Sequence, residues 1–275
     1  SEELNDLTPV FDTLIISGVS THSLPNSGVW NMVSIPGSDF DAAPFKNGGN
    51  ILHWDESQGP NGIYKYYIRA KNITNITPGN SYWTKLDSTL NITLDENDLY
   101  RKDSIILDLH KVKYGWNQIA SPYSYPVRWN STLTLWEWDP YLRDFIESES
   151  VLYPWDGYWV HTETSSKIPI YSKPFFLNKR MSRRIRTYFV NKKEWTFRIS
   201  LISNLNRDSD NLFGFSRQAN NGLDELDRPE PPRMGDEPYI FFPHPEWEST
   251  IDEFASDIRH IWNNKKNIFQ VGISP

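Results

Sequence analysis

The chain has 275 residues, 28 basic against 35 acidic side chains for a net charge of −7, and no cysteine. That length exceeds what one small core organises and suggests two or three domains. The acidic balance gives no overall attraction to nucleic acid or anionic lipid, and the missing thiols exclude a disulfide framework, a thiolate metal site and a cysteine nucleophile. Twelve Trp, 14 Tyr and 14 Phe favour strands, because flat rigid rings suit a pleated surface; an all-β fold is expected.

Residues 1–19 read as an N-terminal strand segment. Its apolar run Thr13–Val19 either pairs within its own first module or crosses to a neighbouring subunit as an added strand. No basic, apolar leader opens the chain at Ser1, and no run approaches 18 apolar residues. Neither a signal peptide nor membrane insertion is therefore expected.

Between residues 20 and 173 three landmarks occur twice in the same order. Trp30-Asn31 with Pro36, ILHWD at 51–55 and TPGNSYWT at 77–84 are followed by Trp116-Asn117 with Pro122, LWEWD at 135–139 and YPWDGYWV at 153–160. The offsets are 86 (30 to 116), 84 (54 to 138) and 76 (82 to 158), so loops shorten while the order holds. Each landmark alternates with the two-residue period of a strand, and each proline ends a strand because it cannot donate to a ladder. Gly28 and Gly115 suit tight turns, and Pro78-Gly79 and Asp156-Gly157 are turn chemistry leading into aromatic strands. The spacing predicts two β modules, 20–100 and 101–173, each a meander of four to six strands, with the repeated aromatics filling each interior and the loops carrying four N-x-S/T sequons. These lie at Asn72, Asn75, Asn91 and Asn130 and accept glycans if the chain crosses a glycosylating compartment.

The series GWNQIASP, LWEWD and YPWDGYWV resembles the tryptophan-rich repeat, loosely G-W-N-L-I-S-x-P, W-D, P-G-x-G-Y-W-V, of secreted and cell-surface modular proteins of bacteria and archaea. The likeness covers residues 20–172; the first unit departs from it at Val29 and at Ser81, where the pattern prefers glycine. It implies an all-β extracellular module used for surface display, adhesion or assembly, and brings no catalytic residue with it.

Residues 174–275 change character. The stretch 178–193 carries seven basic residues and no acid. Its Arg180, Arg183, Arg184 and Arg186 suit an anionic partner, or alternatively an exposed strand whose charges discourage edge pairing. Segments 194–203, 211–218, 238–244 and 267–274 read as strands of an antiparallel β-sandwich, while 251–262 reads as a short helix or two strand pieces. The Gly/Asp/Pro-rich stretch 219–238 resembles a loop of the sandwich domain that follows such repeats in surface proteins.

Chemistry-bearing patterns are sparse. Asp208, Asp210, Asp224, Glu225 and Asp227 offer oxygen ligands to a structural calcium if two loops converge, although no EF-hand spacing is present; no other cofactor is implied. Trp129, Trp136, Trp155 and Tyr141 are candidates for stacking on sugar rings. The six histidines are dispersed; His244 and Glu246 form a close His-carboxylate pair, expected to be a loop anchored by prolines and Trp247. Asp139, Glu147, Glu149 and Asp156 lie near tryptophans as a glycosidase would need, but no nucleophile elbow, Walker loop or dinucleotide fingerprint is found. The sequence points to a non-catalytic, extracellular or cell-surface structural protein that binds copies of itself or other surface proteins in a surface layer, sheath or filament. A carbohydrate-binding or adhesive module of a larger secreted protein is the alternative.

Overall fold

Alternating aromatic and β-branched residues govern the structure nearly throughout. The computed structural model describes residues 20–24, 28–56, 67–69, 72–140, 143–148, 150–175, 195–202, 207–234, 238–261 and 268–274. Nearly all regular structure among them is β, with one helix, α1 (Ala43–Asn47). The all-β expectation holds.

The first unit contains β1 (Ser20–Leu24), β2 (Asn31–Val33), β3 (Phe40–Asp41), β4 (Gly49–Trp54), β5 (Tyr67–Arg69), β6 (Asn75–Ile76), β7 (Tyr82–Leu86) and β8 (Leu90–Leu94). The second contains β9 (Ser104–Leu109), β10 (Trp116–Ala120), β11 (Val127–Arg128), β12 (Leu135–Asp139), β13 (Asp144–Glu147), β14 (Val151–Leu152), β15 (Gly157–His161) and β16 (Ser166–Tyr171). A four-stranded sheet ordered β2-β7-β4-β5 with pairs β1-β8 and β3-β6 recurs as β10-β15-β12-β13 with pairs β9-β16 and β11-β14. The sequence repeat is thus an eight-strand structural repeat. It exceeds the expected four to six strands because members such as β3 and β6 are too short to show alternation.

Register sets the equivalences. Trp83 lies opposite Met32 and Leu52 in the first unit, and Trp159 lies opposite Gln118 and Trp136 in the second. Side chains alternate along each strand, so each sheet has two faces, and both are buried. One face fills the unit's own core, with Val33, Ile51 and Tyr82 in the first and Ile119, Leu135 and Tyr158 in the second. The opposite faces, carrying Leu52, Trp54 and Trp83 on one side and Trp116, Trp136, Trp138 and Trp159 on the other, merge into one shared core. Trp54 meets Trp159 edge-on at 5.5 Å and Trp83 meets Trp138 at 5.3 Å.

The repeated tryptophans therefore form the seam between units rather than each unit's interior, which corrects the sequence expectation. Each ring buried there contributes about 2–3 kcal/mol. Trp116 is buried, as expected, whereas Trp30 is only half-buried at the seam's margin, its carbonyl accepting from Trp138 Nε1 at 3.0 Å.

The third unit comprises β17 (Trp195–Ile202), β18 (Arg207–Ser216), β19 (Tyr239–Pro243), β20 (Glu253–Phe254), β21 (Ser256–His260) and β22 (Gly272–Ser274), in two three-stranded sheets, β17-β18-β21 and β20-β19-β22. The segment around 251–262 takes the strand alternative. β18 and β21 run parallel, a local departure from an antiparallel sandwich; the chain between them is long enough for the crossover that parallel pairing needs. Met234, Phe242, Ile251 and Phe254 join the tryptophan seam, so all three units share one core.

Candidate functional site

Two junctions concentrate polar chemistry. At the first, Glu56 follows β4 and is only 6% exposed. Its Oε2 accepts from the main-chain N–H groups of Lys113 and Tyr114, both at 2.8 Å, and of Gly115 at 3.0 Å. Its Oε1 accepts from Trp116 N at 3.0 Å and Trp54 Nε1 at 3.3 Å. Successive backbone donors make a nest for one carboxylate, and it ties the first unit to the turn entering β10. The turn requires glycine: Gly115 has φ +76°, and a Cβ there would strike the carbonyl oxygen of Thr162.

Beside this clamp a cleft of about 480 Å³ opens between the units, lined by His53, Asp55, Asn80, Asp108, His110 and Gln118, with the exposed Ile106 and Val112. His53 Nδ1 lies 2.9 Å from Ser81 O. Burial holds the imidazole below its ordinary pKa against the opposing pull of the Ser81 carbonyl and Asp55. The ring is neutral near pH 7, Nδ1–H donates to Ser81, and Nε2 is left as an acceptor. Gln118 Oε1 accepts from Trp54 N at 2.6 Å, whereas its buried Nε2 has no partner among the described residues. Asp108 pairs with Lys167 at 3.1 Å.

The second junction holds a buried ionic cluster between the second and third units. Arg233 Nη2 donates to Asp144 of β13 at 2.8 Å and to Asp208 of β18 at 3.0 Å, and its Nε donates to Glu230 at 2.9 Å. These side chains are between 1% and 5% exposed. Asp208 also accepts from Ile240 N and Asn211 Nδ2, each at 2.6 Å, and Asp144 accepts from Ser209 N at 3.0 Å. Burial outweighs Arg233 at Glu230 and pushes that carboxyl up to about 8; burial also raises Asp144. Glu230 therefore carries its proton at neutral pH, and the Arg233 charge faces fewer than three carboxylates.

Nearby, His244 stacks on Trp247 at 3.6 Å, and its Nδ1 lies 2.8 Å from Glu246. Asp257 Oδ2 sits 3.2 Å from His244 Nε2, close enough for an ion pair but not aligned for a hydrogen bond, and Arg259 holds Asp257 at 2.7 Å. Burial opposes the imidazolium, but the two carboxylates outweigh it and raise its pKa. This loop is anchored by Trp247, as its sequence suggested.

The residues singled out from sequence are scattered. Asn72, Asn75, Asn91 and Asn130 are all exposed, but Asn75 and Asn91 lie on β6 and β8 rather than in loops. Trp129 and Trp136 are 3% and 2% exposed, so neither offers a face to a sugar: Trp129 fills the second unit's core with Nε1 donating to Leu133 O at 2.8 Å, and Trp136 fills the seam. Trp155 is half-buried and stacks on His22 at 4.4 Å. Tyr141 lies outside the described residues, as do residues 1–19 and Arg180, Arg183, Arg184 and Arg186; the side chain of Asp210 does too.

Among the described side chains the candidate calcium ligands do not converge. Asp208 is taken by Arg233, while Asp224 and Asp227 organise a separate loop by accepting from Asn220 N, Leu226 N, Asp224 N and Ile258 N. Among the described residues no three His, Asp or Glu side chains gather as a metal would require. The roles of Glu56, Gln118 and Asp144 are not visible in the sequence because each is bonded to groups 57–89 positions away, where no local pattern reaches; Arg233 has Glu230 three positions off, but Asp208 and Asp144 stand 25 and 89 away. No known protein family, curated protein or solved structure matches the chain.

Proposed function

We propose that this chain is a non-catalytic structural protein of the cell surface or extracellular space, acting through protein–protein surfaces in an assembly such as a surface layer, sheath or filament. The observation that carries the reading is β17, an edge strand among the described residues. It exposes Trp195 by 60%, Phe197 by 46% and Ile202 by 70%. Trp195 and Phe197 face Phe215 and Phe213 across the strand pair, and those two rings contact Phe269 at 5.5 and 5.0 Å. A continuous aromatic surface on a strand edge is a template for association, and single scattered apolar residues would not be. The shared tryptophan core supports the reading, because it fixes this surface rigidly to the two repeat units. The four exposed sequons and the likeness to tryptophan-rich surface repeats favour the same setting.

Sedimentation velocity and electron microscopy of the native protein test this proposal. The protein is expected to associate, and a Trp195→Lys, Phe197→Lys double variant is expected to remain monomeric. A native protein that stays monomeric at high micromolar concentration contradicts it.

A further inference from the structure

The repeat supplies an internal comparison for the cleft. Contacts made by the first unit on the second have counterparts in the opposite sense: Ser34 N donates to Trp155 O and Ala120 N to Gly79 O, both at 2.9 Å, and Val33 bridges to Asp156 as Ile119 does to Asn80. Two equivalent places at the junction follow from this arrangement. In one, Trp155 adopts φ 72° and lays its indole on His22 with the rings 12° from parallel, while Met32 is buried against the backbone at Gly157. In the other, Gly79 takes the position of Trp155 with φ 87°, Gln118 takes that of Met32, and about 480 Å³ remains open. The chain has departed from its own symmetry at the two positions that fill one of these places.

The cleft brings a buried donor that lacks a partner among the described residues together with an imidazole acceptor. The buried Nε2 of Gln118 is a donor without an acceptor among the described residues, at a cost that a structure retains only with a reason. Oε1 is fixed on Trp54 N, so the amide cannot turn over to relieve it. His53 presents an acceptor, and Asp55 and Asp108 line the same space. An anion would satisfy Gln118 but meets Asp55, Asp108 and the buried Glu56. A cation would compete with Lys167 for Asp108 and leaves the amide orphaned. A hydroxyl group both accepts and donates, and the exposed Ile106 and Val112 suit the C–H face of a sugar ring.

We propose that this cleft is a binding site for an uncharged saccharide. Its volume falls within the range of roughly 300–1,000 Å³ that small-molecule sites occupy. The site is separate from the aromatic surface on β17 and stands whether or not the protein assembles.

Saturation-transfer NMR with methyl glycosides of glucose, mannose, galactose and N-acetylglucosamine, and with cellobiose and maltose, tests the proposal, with acetate and ethylammonium as charged controls. At least one neutral sugar is expected to receive saturation, and the charged controls none. Two variants locate the site. Gln118→Met copies the residue at the filled place and is expected to lower affinity about 10-fold through loss of one buried hydrogen bond. Val112→Trp alters an exposed residue of the cleft lining, so folding is unaffected while the space is obstructed and the signal is lost. If Gln118→Met fails to fold, Val112→Trp alone decides. Silence from every sugar, or binding that persists in Val112→Trp, overturns the proposal.

Discussion

Replacing Glu56 with glutamine tests whether one carboxylate holds the two repeat units together. The native side chain accepts four main-chain N–H groups at 2.8–3.0 Å and one indole N–H. Glutamine keeps one oxygen in that nest and turns an NH2 group towards the donors that the other oxygen served. The N–H groups of Lys113, Tyr114 and Gly115 then lose their acceptor. Each unsatisfied buried donor costs about 1–3 kcal/mol, but only Gly115 is fully buried, and Lys113 is open to water. Discounting the exposed donor leaves a loss of roughly 3 kcal/mol. Urea unfolding followed by tryptophan fluorescence measures it as a lower midpoint at unchanged slope. A loss below about 1 kcal/mol would refute the clamp, because three donors cannot lose their acceptor so cheaply.

Trp159→Ala, at the centre of the seam and 0% exposed, is expected to cost about 3–5 kcal/mol, read as a shift in urea midpoint. Arg233→Met leaves Asp144 and Asp208 buried without their cation and is expected to cost about 3–5 kcal/mol at pH 7; calorimetry checks it. Stability should fall from about pH 6.5 to 8.5, above the range in which His22, His53 and His161, whose pKa values burial lowers, act in the opposite sense. Glu230 is pushed up to about 8 and Asp227 to about 7, chiefly by burial, and the carboxylates around His244 raise its pKa. Each group binds its proton more tightly when folded. Its stabilising effect is thus complete below the unfolded pKa and lost as pH rises through the folded one. The melting temperature should be higher at about pH 6.5 than at pH 8.5, and Glu230→Gln should flatten part of that slope.

The architecture of residues 20–173 is legible because its landmarks recur. GWNQIA and LWEWD became β10 and β12, and the turn glycines Gly28 and Gly115 do hold positive φ. The orientation of the tryptophans was not legible. Alternation separates the two faces of a strand but does not say which partner each meets. In β15 the pattern GYWVH is buried on both faces, so its periodicity carries no direction. The third unit was harder still: β18 and β21 pair across a long stretch of chain, and parallel register leaves no hairpin signal. Site chemistry depended on such distant pairings throughout. Trp129 and Trp136 looked free for a ligand because their hydrophobic neighbours lie on other strands. Asp208 looked like a calcium ligand because Arg233 stands 25 positions away.

Hydrogen exchange along β17 as a function of protein concentration tests the assembly account most directly. If the aromatic edge pairs with other molecules, amides of residues 195–202 on the edge facing away from β18 become protected as concentration rises, and the Trp195→Lys, Phe197→Lys variant abolishes that protection. Exchange at those amides that stays fast and independent of concentration would contradict the account.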